Sequence, residues 1–204
     1  MADSIALIDY GAGNLHSVAN ALAASGADNV VITAHPDAVM RASRIVLPGV
    51  GAFGACASGL AALDGMVEAL EQRVRRDGVP FLGICVGMQL MADAGVEHGA
   101  HKGLGWIAGT VEEILPDEGV KVPHMGWNDV QPVSAGLIEP GEAYFLHGYH
   151  FHPLHAEDIA ATTDHGGSLV AAVARDNMIG VQFHPEKSQK YGLAFLQRFR
   201  EWTP

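Results

Sequence analysis

Apolar residues fall in short unbroken runs through the first ninety positions and in looser, aromatic-rich stretches after them. Residues 4–10, 30–33, 44–47 and 79–84 are mostly aliphatic or β-branched with little polar alternation, the pattern of strands buried on both faces of a parallel sheet. Helical signatures lie between them. The segment 15–25 follows Asn14, which is suited to cap it, and stops at Gly26. Across 59–76, Leu60, Leu63, Val67, Leu70 and Val74 recur at intervals of three and four. Glu68, Glu71, Arg75 and Arg76 take the opposite face, which predicts one long amphipathic helix. A further helix is predicted over 86–92. Alternation of this kind predicts an α/β fold, an open and mostly parallel sheet with helices on both faces.

The second half has a different texture. Residues 102–133 and 143–151 are rich in Gly, Pro and aromatics and predict shorter strands, some antiparallel. Residues 169–174 and 178–183 pattern as a hairpin around Arg175-Asp176-Asn177, and a last helix carries Tyr191, Phe195, Leu196, Phe199 and Trp202 on one stripe suited to the core. No repeat, low-complexity tract or linker breaks the chain, so residues 1–204 read as a single domain with a smaller antiparallel portion in its second half.

Composition narrows the function. With 49% apolar and 17% charged residues the chain is globular in character. No apolar run reaches eighteen residues, and the start Met1-Ala2-Asp3-Ser4 lacks a basic leader, so neither a membrane span nor a secretory signal is expected. Twelve basic against twenty-three acidic side chains give a net charge of −11, which disfavours nonspecific nucleic-acid or anionic-membrane binding. The two cysteines, Cys56 and Cys85, make no disulfide framework, and a reduced cytoplasmic setting suits a working thiol.

One of those thiols sits in a chemical pattern. Pro80-Phe81-Leu82-Gly83-Ile84-Cys85-Val86-Gly87-Met88-Gln89 is a strand meeting a Gly-x-Cys-x-Gly turn, the layout of a nucleophile elbow with cysteine in place of serine. Such a turn puts the sulfur at a helix start, where backbone N–H groups favour an anion. A buried structural cysteine in a Gly-rich connection is the competing explanation. The base is sought in Gly180-Val181-Gln182-Phe183-His184-Pro185-Glu186-Lys187-Ser188. Pro185 holds His184 extended, and Glu186 at i+2 falls on the same side, where it can orient the imidazole. Taken by itself this segment reads first as a surface His-Pro-Glu turn. For an oxyanion, the N–H of Val86 is one donor and the Pro48-Gly49-Val50-Gly51 segment after the third strand offers another. Gly49-Val50-Gly51-Ala52-Phe53-Gly54 also matches a dinucleotide fingerprint, but it follows the third strand and lacks the acid that should end the next one. The cluster His147, His150, His152 and His155 has spacings compatible with zinc, yet no cysteine or paired carboxylate accompanies it, so neither metal nor cofactor is expected.

Together these segments resemble the class I, triad-type glutamine amidotransferases. The motifs that carry the resemblance run in order from Asp9-Tyr10-Gly11-Ala12-Gly13-Asn14-Leu15 through Leu47-Pro48-Gly49-Val50-Gly51-Ala52-Phe53 and the cysteine motif to Tyr144-Phe145-Leu146-His147 and the His-Pro-Glu segment. Val122-Pro123-His124-Met125-Gly126-Trp127-Asn128 narrows it to the branch of glutaminase subunits that serve imidazole glycerol phosphate synthases in histidine biosynthesis. The resemblance implies a triad of Cys85, His184 and Glu186, an oxyanion strand at Gly49, Val50 and Gly51 completed by Val86, and glutamine contacts from Gln89, Glu97, Tyr144, His147 and Tyr149. The Gly49–Gly51 strand is expected to be able to switch the reaction by peptide reorientation. Trp127, Asn128 and Lys187 fall where such subunits face a (β/α)8-barrel cyclase, to which ammonia from glutamine is delivered. Val86 replaces a usual leucine, and Gly148 stands where a serine is common. Two rivals remain, a glutaminase for another synthase such as that of pyridoxal phosphate, and a catalytically silent regulatory subunit.

Overall fold

The computed structural model describes residues 4–115, 120–133 and 135–204. The expectation about a leader at Met1-Ala2-Asp3 lies outside the described residues. In chain order the first half gives β1 (Ile5–Ile8), α1 (Leu15–Ala24), β2 (Val30–Thr33), α2 (Pro36–Arg41), β3 (Arg44–Leu47), α3 (Phe53–Ala61), α4 (Met66–Leu70), β4 (Phe81–Ile84) and α5 (Val86–Gln89). Short strands β5 (Ala94–Gly95), β6 (His101–Lys102) and β7 (Gly109–Glu113) follow, then β8 (His124–Pro132), β9 (Gly141–His147), β10 (Tyr149–Pro153), β11 (Ile159–Asp164), β12 (Ser168–Arg175), β13 (Met178–Val181) and the closing helix α6 (Gln189–Glu201).

Among the described residues nine strands form one sheet in the order β2-β1-β3-β4-β13-β12-β11-β8-β9. Its first five strands are mutually parallel and its last four pairings antiparallel. The predicted hairpin is β12 and β13, turned at Asp176 in a left-handed conformation (φ 52°). It folds back so that β13 runs parallel beside β4, pairing Val181 with Ile84. β10, β7, β5 and β6 make a smaller second sheet. Helices flank the large sheet, α1 packing on α6 and α2 and α3 on α4. The core is aliphatic and phenylalanine-rich, with Leu7, Ile45, Phe81, Phe145, Phe183, Phe195 and Phe199 fully buried.

Three local expectations are corrected. The long helix over 59–76 is two pieces, α3 and α4, meeting at 92°, because Gly65 takes a left-handed φ of 71° and breaks the run. The apolar spacing survives the bend, and α4 continues as a π-helical turn over Glu71–Arg76. Asn14 occupies the N-cap position of α1 without a side-chain bond, its ψ of 67° lying short of the extended value that aims a cap side chain at the first turn. The helix after the elbow is a single turn, Val86–Gln89, rather than one reaching residue 92, because the chain turns away into β5. α2, opened by Pro36, is an element the hydrophobic pattern missed, its six residues being too few for a periodic signal.

Candidate active site

Order within the sheet sets the site. β3, β4 and β13 are consecutive and parallel, so the segments after them emerge side by side at the carboxyl edge, where α/β sheets place their ligands. They are the Pro48–Gly51 segment, the Cys85 turn and the His184 segment. Cys85 has φ 54° and ψ −112°, a strained backbone for a residue with a side chain. Glycines make the turn possible. A Cβ on Gly83 would stand 2.6 Å from the Gly87 carbonyl oxygen, and one on Gly87 would collide with the carbonyl of Leu47. A Cβ on Gly49 would meet the Gly87 nitrogen at 2.7 Å, so the Pro48–Gly51 segment lies directly against the elbow. Two hydrogen bonds hold that segment from beneath, Tyr10 Oη to the Pro48 carbonyl (2.6 Å) and Cys56 Sγ to the Val50 carbonyl (3.4 Å).

His184 and Cys85 line one cavity of about 160 Å³, shared with Val50, Gly51, Val86, Gln89, Glu97, Leu146, His147, Gly148, Tyr149 and Lys187. The His184 backbone is fixed by its N–H on the Tyr144 carbonyl (2.9 Å). Its Nδ1 meets Glu186 Oε1 at 2.8 Å, both side chains being almost fully buried. Nδ1 is thus occupied and Nε2 is left for the sulfur. Burial works against a charged His184, but its interactions with Cys85 and Glu186 outweigh it and raise the imidazole to about 9. A larger groove of about 700 Å³, lined by residues such as Pro36, Met40, Glu71 and Trp106, contains no cysteine or histidine and shares no residue with this cavity.

The glutamine-contact set divides. Gln89, Glu97, His147 and Tyr149 reach the cavity. Gln89 spends both amide hydrogens on protein, on the Tyr149 carbonyl and on Gln182 Oε1 (3.0 Å each), so only its oxygen is free for a ligand. Glu97 accepts from the Phe53 N–H at 2.7 Å, at the start of α3. Tyr144 stays outside the cavity lining. Its ring packs edge-on against Trp127 (6.2 Å) with Lys187 Nζ 5.7 Å above it, and it serves the site through its carbonyl.

His147 belongs to a buried chain of neutral rings. Its Nδ1–H donates to the Tyr149 carbonyl (2.9 Å), leaving Nε2 to accept from His124 Nδ1 (3.0 Å), and Asn128 Nδ2 donates to His124 Nε2 (3.0 Å). The zinc-like cluster is therefore split. His147 is taken up here, and His150 packs on His152 at 3.9 Å. Among the described residues no group of three or more His, Cys, Asp or Glu side chains is arranged to hold a metal.

Burial holds His147 near 3, and burial assisted by a neighbouring histidine holds His124 and His150 near 4. Each is neutral when folded and protonates below about 6.5 when unfolded, so its contribution is present above 6.5 and is lost as pH falls toward 4. His184, raised when folded, acts in the opposite sense, contributing fully below 6.5 and losing its contribution as pH rises through 9. Stability is expected to peak near neutrality. At pH 5 unfolding should take up about three protons on His124, His147 and His150. Urea unfolding across pH 4–9 tests this, and a pH-independent free energy would refute it.

Residues 6–201 match the glutamine amidotransferase class-I family. The chain belongs to that family. The amidotransferase is 60% identical to the imidazole glycerol phosphate synthase subunit HisH of Zymomonas mobilis, covering 98% of this chain and 97% of that protein. It is 52% identical to the subunit of the same name from Rhodospirillum rubrum, over 98% and 99% of the two chains. A crystal structure described as a glutamine amidotransferase shares its fold at a TM-score of 0.74 and 18% identity, over 95% of this chain and 98% of that one.

Trp127 of this amidotransferase is 48% exposed on β8, beside Met125, which is 66% exposed and pairs across the strands with Leu146. Asn128, the next residue along β8 after Trp127, alternates to the other face and turns its amide to His124 and to the Asp164 carbonyl. Lys187 stands at the rim of the cavity. One residue without an assigned role lies in the site. Gln182 is fully buried, and its Nε2 donates to Cys85 Sγ at 3.6 Å. A signal for it existed, since Gln182 is a polar residue at the end of an apolar strand and two positions before His184, hence on the same side.

Proposed function

We propose that this chain hydrolyses glutamine with Cys85 as nucleophile and delivers the ammonia to a (β/α)8-barrel cyclase subunit in histidine biosynthesis. The observation that supports it most is the meeting of three sequence-distant segments at one cavity, with a strained cysteine facing a buried histidine–glutamate pair. The Cys85 sulfur attacks the side-chain amide carbon. The tetrahedral oxyanion is held by backbone N–H groups of Val86 and of the Val50–Gly51 segment, a type of contact worth roughly 3 kcal/mol of barrier per donor. His184, charged at neutral pH, protonates the departing ammonia. As a neutral base it then activates the water that cleaves the γ-glutamyl thioester, while Glu186 keeps its ring oriented. Gln89 offers its free oxygen to the substrate's α-ammonium, and His147, Tyr149 and Glu97 complete the pocket.

The cyclase docks on the exposed face of β8 and β9 that carries Met125, Trp127 and Leu146, with Lys187 at its edge and Asn128 behind it. It uses the ammonia to turn a phosphoribulosyl aminoimidazole carboxamide nucleotide into imidazole glycerol phosphate and an aminoimidazole carboxamide ribonucleotide. The relatives named as subunits of imidazole glycerol phosphate synthase support this choice of partner. The work is cytoplasmic, in keeping with two unpaired thiols, and no single described helix is long and apolar enough to cross a membrane.

The test is glutaminase turnover of the chain co-purified with its barrel partner, with and without the cyclase ribonucleotide. Turnover should rise when that nucleotide binds. A response to substrates of pyridoxal phosphate synthesis instead would favour the rival synthase. Trp127→Ala should raise glutamine consumed per product formed, and unchanged stoichiometry would remove Trp127 from ammonia transfer.

A further inference from the structure

Tyr149 presents a backbone carbonyl to two side chains, His147 Nδ1 at 2.9 Å and Gln89 Nε2 at 3.0 Å. A carbonyl only accepts, so both partners must donate, and the Gln89 amide can have one orientation alone. Its other N–H then points at Gln182, whose facing atom must be the oxygen (3.0 Å). That leaves the Gln182 nitrogen toward Cys85 Sγ, at 3.6 Å. Nothing along this line is free to rearrange. Gln89 and Cys85 are each 3% exposed and Gln182 is fully buried. The backbones are pinned as well, Gln182 N–H on the Ala171 carbonyl and Cys85 N–H on the Val181 carbonyl, 2.8 Å each.

We infer that Gln182 is a catalytic residue that activates Cys85 by donating an N–H to its sulfur, and that Gln89, anchored on the Tyr149 carbonyl, is the positioning residue that keeps that donor aimed. The inference rests on Cys85 being the nucleophile. An amide N–H gives a stronger hydrogen bond to a sulfur anion than to a neutral thiol, so it favours the attacking form. The opposing contact is looser. The thiol can donate to the Leu146 carbonyl only across 4.0 Å. Being buried with its oxygen already paired, the Gln182 amide has no water to compete for its hydrogens, which strengthens the bond it makes. The arrangement also accounts for a polar side chain where strand β13 would otherwise end in unbroken apolar packing.

The test is alkylation of the full chain by iodoacetamide from pH 6 to 10, followed at the Cys85 peptide by mass spectrometry so that Cys56 does not contribute. Gln182→Met preserves the volume and removes the donor, while Gln182→Glu turns an acceptor toward the sulfur. At pH 7 Cys85 should react about tenfold more slowly in Gln182→Met and more slowly still in Gln182→Glu, with both approaching the wild-type rate at pH 10. A loss through packing alone would be the same at every pH and would not follow that order. Gln89→Met, which keeps Gln182 but frees it to rotate, should show a smaller slowing of the same shape, and it carries the test if the Gln182 variants do not fold. Profiles that coincide with wild type overturn the inference. If Cys85→Ala also retained glutaminase activity, the nucleophile assignment would fall first. If Cys85→Ala is inactive and the profiles still coincide, only the role of Gln182 falls.

Discussion

Cys85→Ala is expected to lower glutamine hydrolysis by at least about 10⁴-fold while the partner's synthesis from free ammonium salts continues. The two halves of that outcome have different causes. Without the sulfur no thioester forms, and the remaining oxyanion donors and His184 act on an amide that water attacks poorly. The surface on β8 and β9 is untouched, since Trp127 and Met125 take their positions from strand pairing far along the chain from the elbow. Stability should report on the strain. Glycine is ordinarily less favourable than alanine by about 0.5–1 kcal/mol in a regular element. At φ 54° and ψ −112° a side chain carries a penalty of order 1–3 kcal/mol that glycine escapes. Cys85→Gly should therefore unfold at higher urea than Cys85→Ala, both being inactive. The reverse order would mean that the elbow is relaxed, and wild-type glutaminase rates in either variant would remove Cys85 from the chemistry.

Much of this site is legible in the sequence because its parts are local. The Gly-x-Cys-x-Gly turn needs small residues on both sides of the sulfur for reasons of contact, and the Gly83 and Gly87 surroundings supply those contacts. The His184–Glu186 pair needs only an extended segment, which Pro185 imposes. What the hydrophobic pattern could not supply is how distant strands are ordered. That β13 inserts beside β4, carrying Gln182 to the sulfur, follows from the hairpin with β12 folding back, and no periodicity in 168–183 records it. Tyr144 shows the same limit from the other side. Alternation puts it on the face opposite Phe145, but only the cross-strand register tells that this face belongs to Trp127 rather than to the cavity. The break at Gly65 was hidden because the buried positions on either side keep a helical spacing through the bend.

Glu186→Gln is expected to lower kcat by about 10²–10⁴-fold with little change in KM, because the substitution alters the proton on His184 and not the pocket. The native carboxylate accepts from Nδ1 at 2.8 Å through one oxygen, while its other oxygen is buried without a hydrogen-bond partner. The imidazolium is therefore the main compensation that Glu186 has, and the carboxylate is one of the interactions that raise His184 to about 9. An amide of the same shape removes the charge and can offer Nδ1 a donor where an acceptor stood. The ring is then stable with its hydrogen on Nε2, the nitrogen that must take up the proton of the attacking water. With the carboxylate gone the imidazole titrates lower, so the alkaline edge of the rate profile should move to lower pH, the opposite of what loosened packing alone would do. Glutaminase rates of the wild type and Glu186→Gln complexes between pH 6 and 10 separate these possibilities. A variant whose kcat and alkaline edge match the wild type would show that His184 keeps its orientation and charge without the carboxylate.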